Sequence, residues 1–186
     1  MHDNDTVNDK DTFTGKTRFD GKTCDEKILI KCDRGHIINM YPHSLFAGYR
    51  CKKCKKSQGE RKILDYLHKN NLNYVEEYSF PGCKSKNLLY FDFYVENTFL
   101  IEFDGLQHFK EIQYFGGITT LISGQTNDRI KMKYCKSHNI PILRISFNNI
   151  NHIADIIDNY RNDLQTNPTL IRFSEPELYT YLDIDD

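Results

Sequence analysis

The chain has 186 residues, of which 39% are hydrophobic and 27% charged, and its formal net charge is −1. This length predicts one main domain with a packed core plus a small additional module. No apolar run is long enough to span a membrane, and from the acidic, polar start we expect no signal peptide. We therefore expect an intracellular protein, in the cytoplasm or nucleus, whose six cysteines are thiols or metal ligands rather than disulfides.

The net charge conceals an uneven distribution. Eleven basic and four acidic residues lie between Lys22 and Lys62, whereas residues 63–186 carry eleven basic and seventeen acidic residues. A basic module joined to an acidic one is typical of a phosphate-binding arm attached to a metal-binding catalytic domain. The alternative is an ordinary basic surface with no nucleic-acid partner.

The composition divides the chain into four segments. Residues 1–21 are polar without apolar periodicity and are predicted to be a disordered tail. Residues 22–58 hold a Cys/His cluster and are predicted to be a zinc-finger module that binds DNA. Residues 59–165 are predicted to form the main, catalytic domain, and residues 166–186 a C-terminal extension of mixed character.

Four residues in the second segment have the spacing C-x3-H-x14-C-x2-C. Two close pairs of thiolate and imidazole ligands suit a closed, tetrahedral, structural Zn²⁺ site. The predicted ligands are Cys32, His36, Cys51 and Cys54. Cys24 and His43 are the alternative ligands, while Cys83 and Cys135 are expected to be buried free thiols.

Five basic residues surround the second cysteine pair. Solvated side chains are the ordinary interpretation of such a group, but their position beside a zinc turn favours phosphate contact. They would supply affinity for DNA more than sequence readout. They are Arg50, Lys52, Lys53, Lys55 and Lys56.

The predicted elements after the cysteines follow the order α-β-β-β-α-β-α. A capping box opens the first helix, and the third strand, second helix and last strand should form a right-handed parallel crossover. The first three strands should form an antiparallel meander, which gives an α/β fold with a mixed sheet and helices on both faces. The helices are 57–69, 127–138 and 150–164, the strands are 74–80, 88–95, 99–104 and 141–147, and residues 105–126 form a long loop.

Three carboxylates lie in two otherwise apolar, aromatic strands, and buried charge is costly unless it is paired or bound to a metal. Alternation places Glu102 and Asp104 on one face of their strand. If the preceding turn holds three residues, Asp92 falls opposite Glu102; a two-residue turn would shift the register by one. A divalent cation would turn the repulsion between these carboxylates into binding. The alternative is a solvated hairpin face with scattered acids.

The chain resembles the PD-(D/E)XK nucleases over about residues 27–147. The resemblance rests on Phe-Asp-Phe-Tyr at 91–94, Ile-Glu-Phe-Asp-Gly-x-Gln-His-Phe at 101–109, Asp128-x-x-Lys131 and Ile-Leu-Arg-Ile at 142–145. It is closest to the group related to the very-short-patch repair endonuclease and to endonucleases of phages, introns and large viruses. Some members carry an N-terminal zinc finger, and their core has the order αβββαβ.

The resemblance implies hydrolysis of DNA phosphodiesters that depends on Mg²⁺ or Mn²⁺, with Asp92 and Glu102 as metal ligands. Many members have a lysine two positions after this glutamate, where the present chain has Asp104. Asp104 is then a third metal ligand or binds a second ion. Lys131, which lies on the same helical face as Asp128, would replace the missing cation, unless it is an ordinary surface lysine.

Three further residues are candidates for the same site. His108 would act as a general acid or base or contact the phosphate, or it simply packs within its loop. Gln107 would orient water or DNA. Glu60 would add a carboxylate from the first helix, although its position in the capping box is an equally good structural explanation.

Two other functions remain open. The aspartate at position 104, where many of these nucleases have a lysine, is compatible with a non-catalytic DNA-binding protein on a degenerate nuclease scaffold. A structure-specific enzyme that cuts junctions or mismatches is the alternative within the nuclease class. A monomer with one site would nick DNA, whereas cutting both strands needs a homodimer or two successive events.

Overall fold

The computed structural model describes residues 26–32, 36–47, 49, 51 and 56–182. The chain forms two compact units, Met1–Lys56 and Ser57–Asp186. The predicted disordered tail, residues 1–21, lies outside the described residues. In the described part of the chain, no helix is both long enough and apolar enough to cross a membrane.

The described residues of the first unit form a two-stranded sheet and one short helix. Strand β1 (Ile28–Lys31) pairs antiparallel with β2 (Ile37–Met40), and α1 (Pro42–Phe46) follows. At the end of this hairpin the backbone N–H of Cys32 donates to the carbonyl of His36 at 2.9 Å. The first predicted ligand pair therefore sits where the two strands meet.

The second unit is a five-stranded mixed sheet with helices on both faces, which confirms the predicted α/β class. The strand order is β3-β4-β5-β6-β7. Short 3-10 turns follow β5, precede α3, follow β6 and end the described chain. The elements are α2 (Gln58–Lys69), β3 (Tyr74–Tyr78), β4 (Phe91–Val95), β5 (Phe99–Asp104), α3 (Gly117–Ser137), β6 (Ile142–Ser146), α4 (Ile153–Leu164) and β7 (Ile171–Phe173).

The predicted strand directions are confirmed. Strands β3, β4 and β5 form an antiparallel meander, and β5 pairs parallel with β6 across the α3 crossover. Val95 pairs with Phe99, so the turn between β4 and β5 holds three residues. Glu96 and Asn97 in this turn have φ of 52° and 51°, the left-handed conformation that lets the chain reverse tightly.

Each face of the sheet has its own hydrophobic core. On one face α2 and α4 cover Phe93 and Ile101; on the other, α3 packs its Met132 and Cys135 against Leu100. Because side chains alternate along a strand, Glu102 and Asp104 share the face of Leu100 and point towards α3. The predicted common face of these two carboxylates is confirmed.

The start of α2 is packed tightly against β5. Ser57 and Glu60 form the predicted capping box, in which each side chain accepts from the other residue's backbone N–H. A Cβ atom at Gly59 would lie 2.2 Å from the ring of Phe103, so only glycine permits this approach. The contact brings the first turn of α2, and with it Glu60, to the sheet edge that carries the acidic residues.

Two predictions about the second half of the chain are wrong. Residues 105–126 are not one long loop, because α3 begins at Gly117 and continues through the predicted helix start at Asn127-Asp128. The residues from Gly117 to Thr126 are uncharged and rich in Gly, Thr and Ile, which are weak helix formers without an amphipathic pattern. The last segment also adds a strand, β7, which pairs with β6 and was not predicted.

Candidate active site

Two carboxylates lie next to each other on β4 and β5. Phe93 on β4 pairs with Ile101 on β5, and the residues that follow these two at the same end of the hairpin are Asp92 and Glu102, whose charges interact. The Oδ2 atom of Asp92 accepts a hydrogen bond from the backbone N–H of Phe103 at 2.8 Å. Glu102 is only 3% exposed. The antiparallel hairpin therefore holds two acidic side chains together at a largely buried position.

A lysine from α3 completes this pair. The Nζ atom of Lys131 donates to both oxygens of Glu102, at 2.8 and 3.0 Å, and lies 5.1 Å from the centre of the Phe91 ring. The helix crossing the sheet therefore supplies the single cation that contacts Glu102 in the described part of the chain. We call Asp92, Glu102 and Lys131 the carboxylate–lysine site.

Burial and the charge of Glu102 together determine the protonation of Asp92 and Lys131. Burial, followed by the charge of Glu102, raises the pKa of Asp92 to about 8, although the N–H of Phe103 opposes the shift. For Lys131, burial acts to lower the pKa, but the charge and hydrogen bonds of Glu102 outweigh it and raise the pKa. Lys131 therefore remains an ammonium ion, and near neutral pH the Asp92 carboxyl holds a proton.

Asp104 belongs to a second cluster, built around a buried arginine. Arg144 on β6 donates to both oxygens of Asp104 and also contacts Asp128 Oδ1 at 2.9 Å. The hydroxyl of Tyr179 donates to Asp104 Oδ2 at 2.8 Å. Asp104 and Arg144 are both 0% exposed. The two carboxylates share one guanidinium, so Asp104 is already neutralised from within the protein.

His108 is bound at the edge of the second cluster. Its Nδ1 lies 2.9 Å from Asp128 Oδ2 and 3.6 Å from Asp104 Oδ1. A neutral or charged ring in this geometry donates its Nδ1–H to Asp128, which leaves Nε2 for a solvent or substrate partner. Burial acts to lower the pKa of His108, but the hydrogen bond with Asp128 and the charges of both aspartates raise it. The same contacts hold the pKa of Asp128 well below its usual range, with Arg144 opposing the effect of burial.

The structure places the remaining candidates on the periphery of these clusters. Glu60 is bound in its capping box, yet its charge acts on Asp92, so the helix start lies near the carboxylate–lysine site. Gln107 is exposed and folds back over Gly105. The described contacts bring Asp92, Glu102, Lys131 and Glu60 together and assign Asp104, His108 and Asp128 to the neighbouring cluster. That separation was not predicted.

Three residues that bind the acidic side chains of the second cluster were not predicted from the sequence. Arg144, Tyr179 and Tyr181 all bind the acidic residues of the second cluster; the hydroxyl of Tyr181 donates to Asp128 Oδ2 at 3.0 Å. A signal for Arg144 was present, because an arginine within a short apolar strand must be paired when it is buried. The tyrosines lie in a segment with no periodic pattern and could not have been found this way.

Three of the four predicted zinc ligands form a compact group in the first unit. His36 Nδ1 lies 3.5 Å from Cys32 Sγ and 3.7 Å from Cys51 Sγ, and the three ligand atoms are all within 4.8 Å of one another. Tetrahedral zinc with usual Zn–S and Zn–N bonds separates sulfur from nitrogen by about 3.6 Å. The side chains therefore fit a zinc ion. Cys54 lies outside the described residues.

Most of the other residues predicted to act around the cysteines lie outside the described part of the chain. The alternative ligand Cys24 and the basic residues Arg50, Lys52, Lys53 and Lys55 lie outside the described residues, whereas Lys56 is half-buried. His43 is exposed, stacks on Tyr41 with ring centres 5.2 Å apart, and is not a member of the group formed by Cys32, His36 and Cys51. Cys83 and Cys135 are 0% exposed free thiols, as predicted.

Comparison with known proteins adds no assignment. No protein-family model, curated protein or solved structure matches the chain. The functional conclusion therefore depends on the residues and their geometry.

Proposed function

We propose that the chain is a Mg²⁺-dependent DNA endonuclease of the PD-(D/E)XK type, with a zinc-finger unit that grips DNA. The observation that carries this proposal is the carboxylate–lysine site, in which Asp92 and Glu102 from adjacent strands meet Lys131 from the crossover helix. The element order α2-β3-β4-β5-α3-β6 agrees with the core order implied by the resemblance. The basic composition around the cysteines supports DNA as the partner.

Asp92 and Glu102 would hold the metal. Mg²⁺ binds proteins through one or two carboxylates and completes its octahedron with water and substrate phosphate, so two side chains are enough. Burial and, after it, the charge of Glu102 raise the pKa of Asp92, and a bound divalent cation would favour the ionised carboxylate against both effects. When bound, the ion would neutralise charge on the scissile phosphate and lower the pKa of an attacking water.

Lys131 takes the role of the lysine that many related nucleases carry two positions after the glutamate. Its ammonium group lies at the carboxylates and is held there by Glu102, so it can orient the attacking water or stabilise charge on the phosphate. In this proposal Asp104 is no metal ligand: its carboxylate neutralises Arg144 and fixes the end of β5. The cation that the strand lacks is thus supplied from the helix.

His108 is the proposed proton carrier. Hydrolysis adds a water oxygen to phosphorus and breaks one P–O bond, so the water must lose a proton and the leaving oxygen must gain one. Asp128 orients the imidazole through Nδ1, as the partner of a general acid or base does, and Nε2 is available to exchange that proton. Gln107, next to it and exposed, would contact water or the DNA backbone.

A zinc measurement tests the first unit. The purified full chain should contain one zinc ion, and Cys51→Ser should lower the zinc content to near zero because a structural site needs all four ligands. Cys83→Ser, which changes a buried thiol in the other unit, is the matched control and should retain the metal. Elemental analysis of the three proteins measures this. Equal zinc in the two variants would contradict the assignment.

The raised pKa of Asp92 makes metal binding depend on pH. Its carboxyl has a folded-state pKa of about 8 against an ordinary value of 3.8, so near neutral pH a metal must displace a proton. Without metal, the contribution of this group to the free energy of unfolding falls as the pH rises from about 4 to about 8 and is constant above. Thermal unfolding should therefore show a larger stabilisation by Mg²⁺ at about pH 9 than at about pH 6.

The Asp92→Asn variant is the control for this pH effect. It cannot release a proton, so the Mg²⁺-induced change in melting temperature should be small at both pH values. A wild-type stabilisation that is the same at both pH values, or that persists in Asp92→Asn, would contradict the role given to Asp92.

A non-catalytic DNA-binding protein is the second candidate. It is favoured by one observation: Lys131 occupies both oxygens of Glu102, just as Arg144 occupies Asp104. A site whose carboxylates are permanently neutralised by protein cations would bind DNA without cutting it.

Cleavage of supercoiled plasmid during a Mg²⁺ titration tests the proposed function. The expected products are nicked circles, followed by linear DNA if two copies or two events act together. Mismatched and four-way substrates, run in parallel, would identify a structure-specific enzyme. Binding without cleavage of any of these substrates, with either Mg²⁺ or Mn²⁺, would favour the second candidate.

A further inference from the structure

The connection between β3 and β4 is basic and exposes two large apolar side chains. Residues 79–90, which we call the 79–90 loop, contain Lys84 and Lys86 and no acidic residue. Both lysines are exposed, and Leu88 and Tyr90 are 40% and 54% exposed. An aromatic ring next to lysines, outside the hydrophobic core, is typical of surfaces that bind nucleic-acid strands.

The 79–90 loop is firmly anchored rather than loosely attached. Cys83 is fully buried, and its carbonyl accepts from the backbone N–H of Leu89 at 3.0 Å. Lys84 and Leu88 form an isolated antiparallel bridge that closes the tip of the loop. The tip is thus held by its own backbone, and the lysine side chains project from a fixed position.

The same anchors connect the 79–90 loop to the carboxylate–lysine site. The ring of Phe80 lies 5.9 Å from that of Phe91 and 5.5 Å from that of Tyr134 on α3. The ammonium group of Lys131 lies over the ring of Phe91. Tyr90 is two residues before Asp92 and immediately precedes β4, the strand that supplies this carboxylate. The loop therefore borders the site on the side of β4.

We propose that the 79–90 loop is the DNA-contacting edge of the catalytic unit, where Lys84 and Lys86 bind phosphates next to the one that is cleaved and Tyr90 stacks on an unpaired base of the same strand. The proposal rests on the proposed function for the site it borders. It adds a DNA contact that is separate from the zinc-finger unit. Lysines contribute affinity without sequence readout, and stacking on an aromatic ring is tolerant of sequence.

The two lysines are tested by the salt dependence of binding to a DNA duplex. Each contact with a phosphate adds about 0.9 to the slope of log K against log salt concentration, so Lys84→Ala and Lys86→Ala should each lower the slope by about that amount. Lys69→Ala is the matched control, because Lys69 is an exposed lysine in the last turn of α2, on the other face of the sheet. Fluorescence anisotropy with the full chain measures the slopes. Slopes equal to that of Lys69→Ala would overturn this part of the proposal.

Tyr90 is tested on a single-stranded oligonucleotide. Loss of one base–aromatic stack weakens binding by about 5-fold to about 150-fold, so Tyr90→Ala should fall in this range. Tyr90→Phe keeps the ring and should bind as the wild type does. Because Tyr90 is more than half exposed, neither variant should change the melting temperature. Equal binding by Tyr90→Ala and wild type would overturn the stacking contact.

These results separate the loop from the active site. If the wild type cleaves DNA but the loop variants bind with unchanged slope and affinity, the loop proposal fails and the nuclease stands. If the wild type binds without cleaving and the slopes fall as expected, the loop contact is supported and the nuclease fails. A wild-type chain that binds no DNA would overturn both.

Discussion

Replacing Glu102 with Gln is expected to reduce DNA cleavage by about 10³-fold or more while leaving DNA binding intact. The change removes one of the two carboxylates proposed to hold the metal, and metal stabilisation of the transition-state charge is worth several kcal/mol. Gln has nearly the same shape as Glu and can still accept from Lys131, so the fold should survive. Plasmid nicking at saturating Mg²⁺ measures cleavage, and anisotropy measures binding. Asp92→Asn should behave in the same way.

Two exposed carboxylates provide matched controls. Glu177→Gln and Asp65→Asn make the same chemical changes on the surface of the same unit and should cut at the wild-type rate. If Glu102→Gln retained wild-type cleavage, the carboxylate–lysine site would not be the active site. If it lost DNA binding together with cleavage, Glu102 would act in the fold or in DNA binding, and the catalytic assignment would have no support.

Replacing Arg144 with Met is expected to destabilise the second unit by about 3–5 kcal/mol, which is the cost of breaking a buried ion pair by removing one partner. The guanidinium is 0% exposed and is shared between Asp104 and Asp128. Without it, two buried carboxylates face each other with only His108 and tyrosine hydroxyls nearby. Urea unfolding of the full chain measures the change. The decrease in the free energy of unfolding should be smaller at low pH, where the unpaired carboxyls can take up protons.

Arg172→Met is the control for this effect. Arg172 also pairs with an aspartate, Asp163, at 2.7 Å, but 32% of its side chain is exposed. Such a pair contributes about 0–1 kcal/mol. The account would be contradicted if the two variants were destabilised equally, because the buried cluster would then contribute no more than a surface pair.

Much of the second unit follows from local signals in the sequence. The capping box at Ser57 and Glu60 defines the start of α2, and alternation in Phe99–Asp104 separates the core face from the acidic face. A turn between β4 and β5 follows from the polar residues between two apolar strands; its length of three residues, one of the two that the sequence allowed, is fixed by the pairing of Val95 with Phe99. In each of these cases the pattern and the tertiary contacts favour the same structure, so local reasoning is sufficient.

The elements that were not predicted depend on long-range contacts. The first turns of α3 have weak helix formers and little burial, so no pattern in the sequence marks their start at Gly117. Strand β7 is only three residues long and is defined by its pairing with β6. Asp104 illustrates the same limit within the site. Its position beside Glu102 in sequence suggested one metal cluster, but its partner is Arg144, forty residues away.

The most direct test of the proposed metal site is a crystal structure of the full chain with Mn²⁺, in which anomalous scattering locates the ion. The account predicts one ion in contact with carboxylate oxygens of Asp92 and Glu102, with Lys131 beside it and with Arg144 still bound to Asp104. An ion held instead by Asp104, His108 and Asp128, or no ion at Asp92 and Glu102 at saturating Mn²⁺, would contradict it.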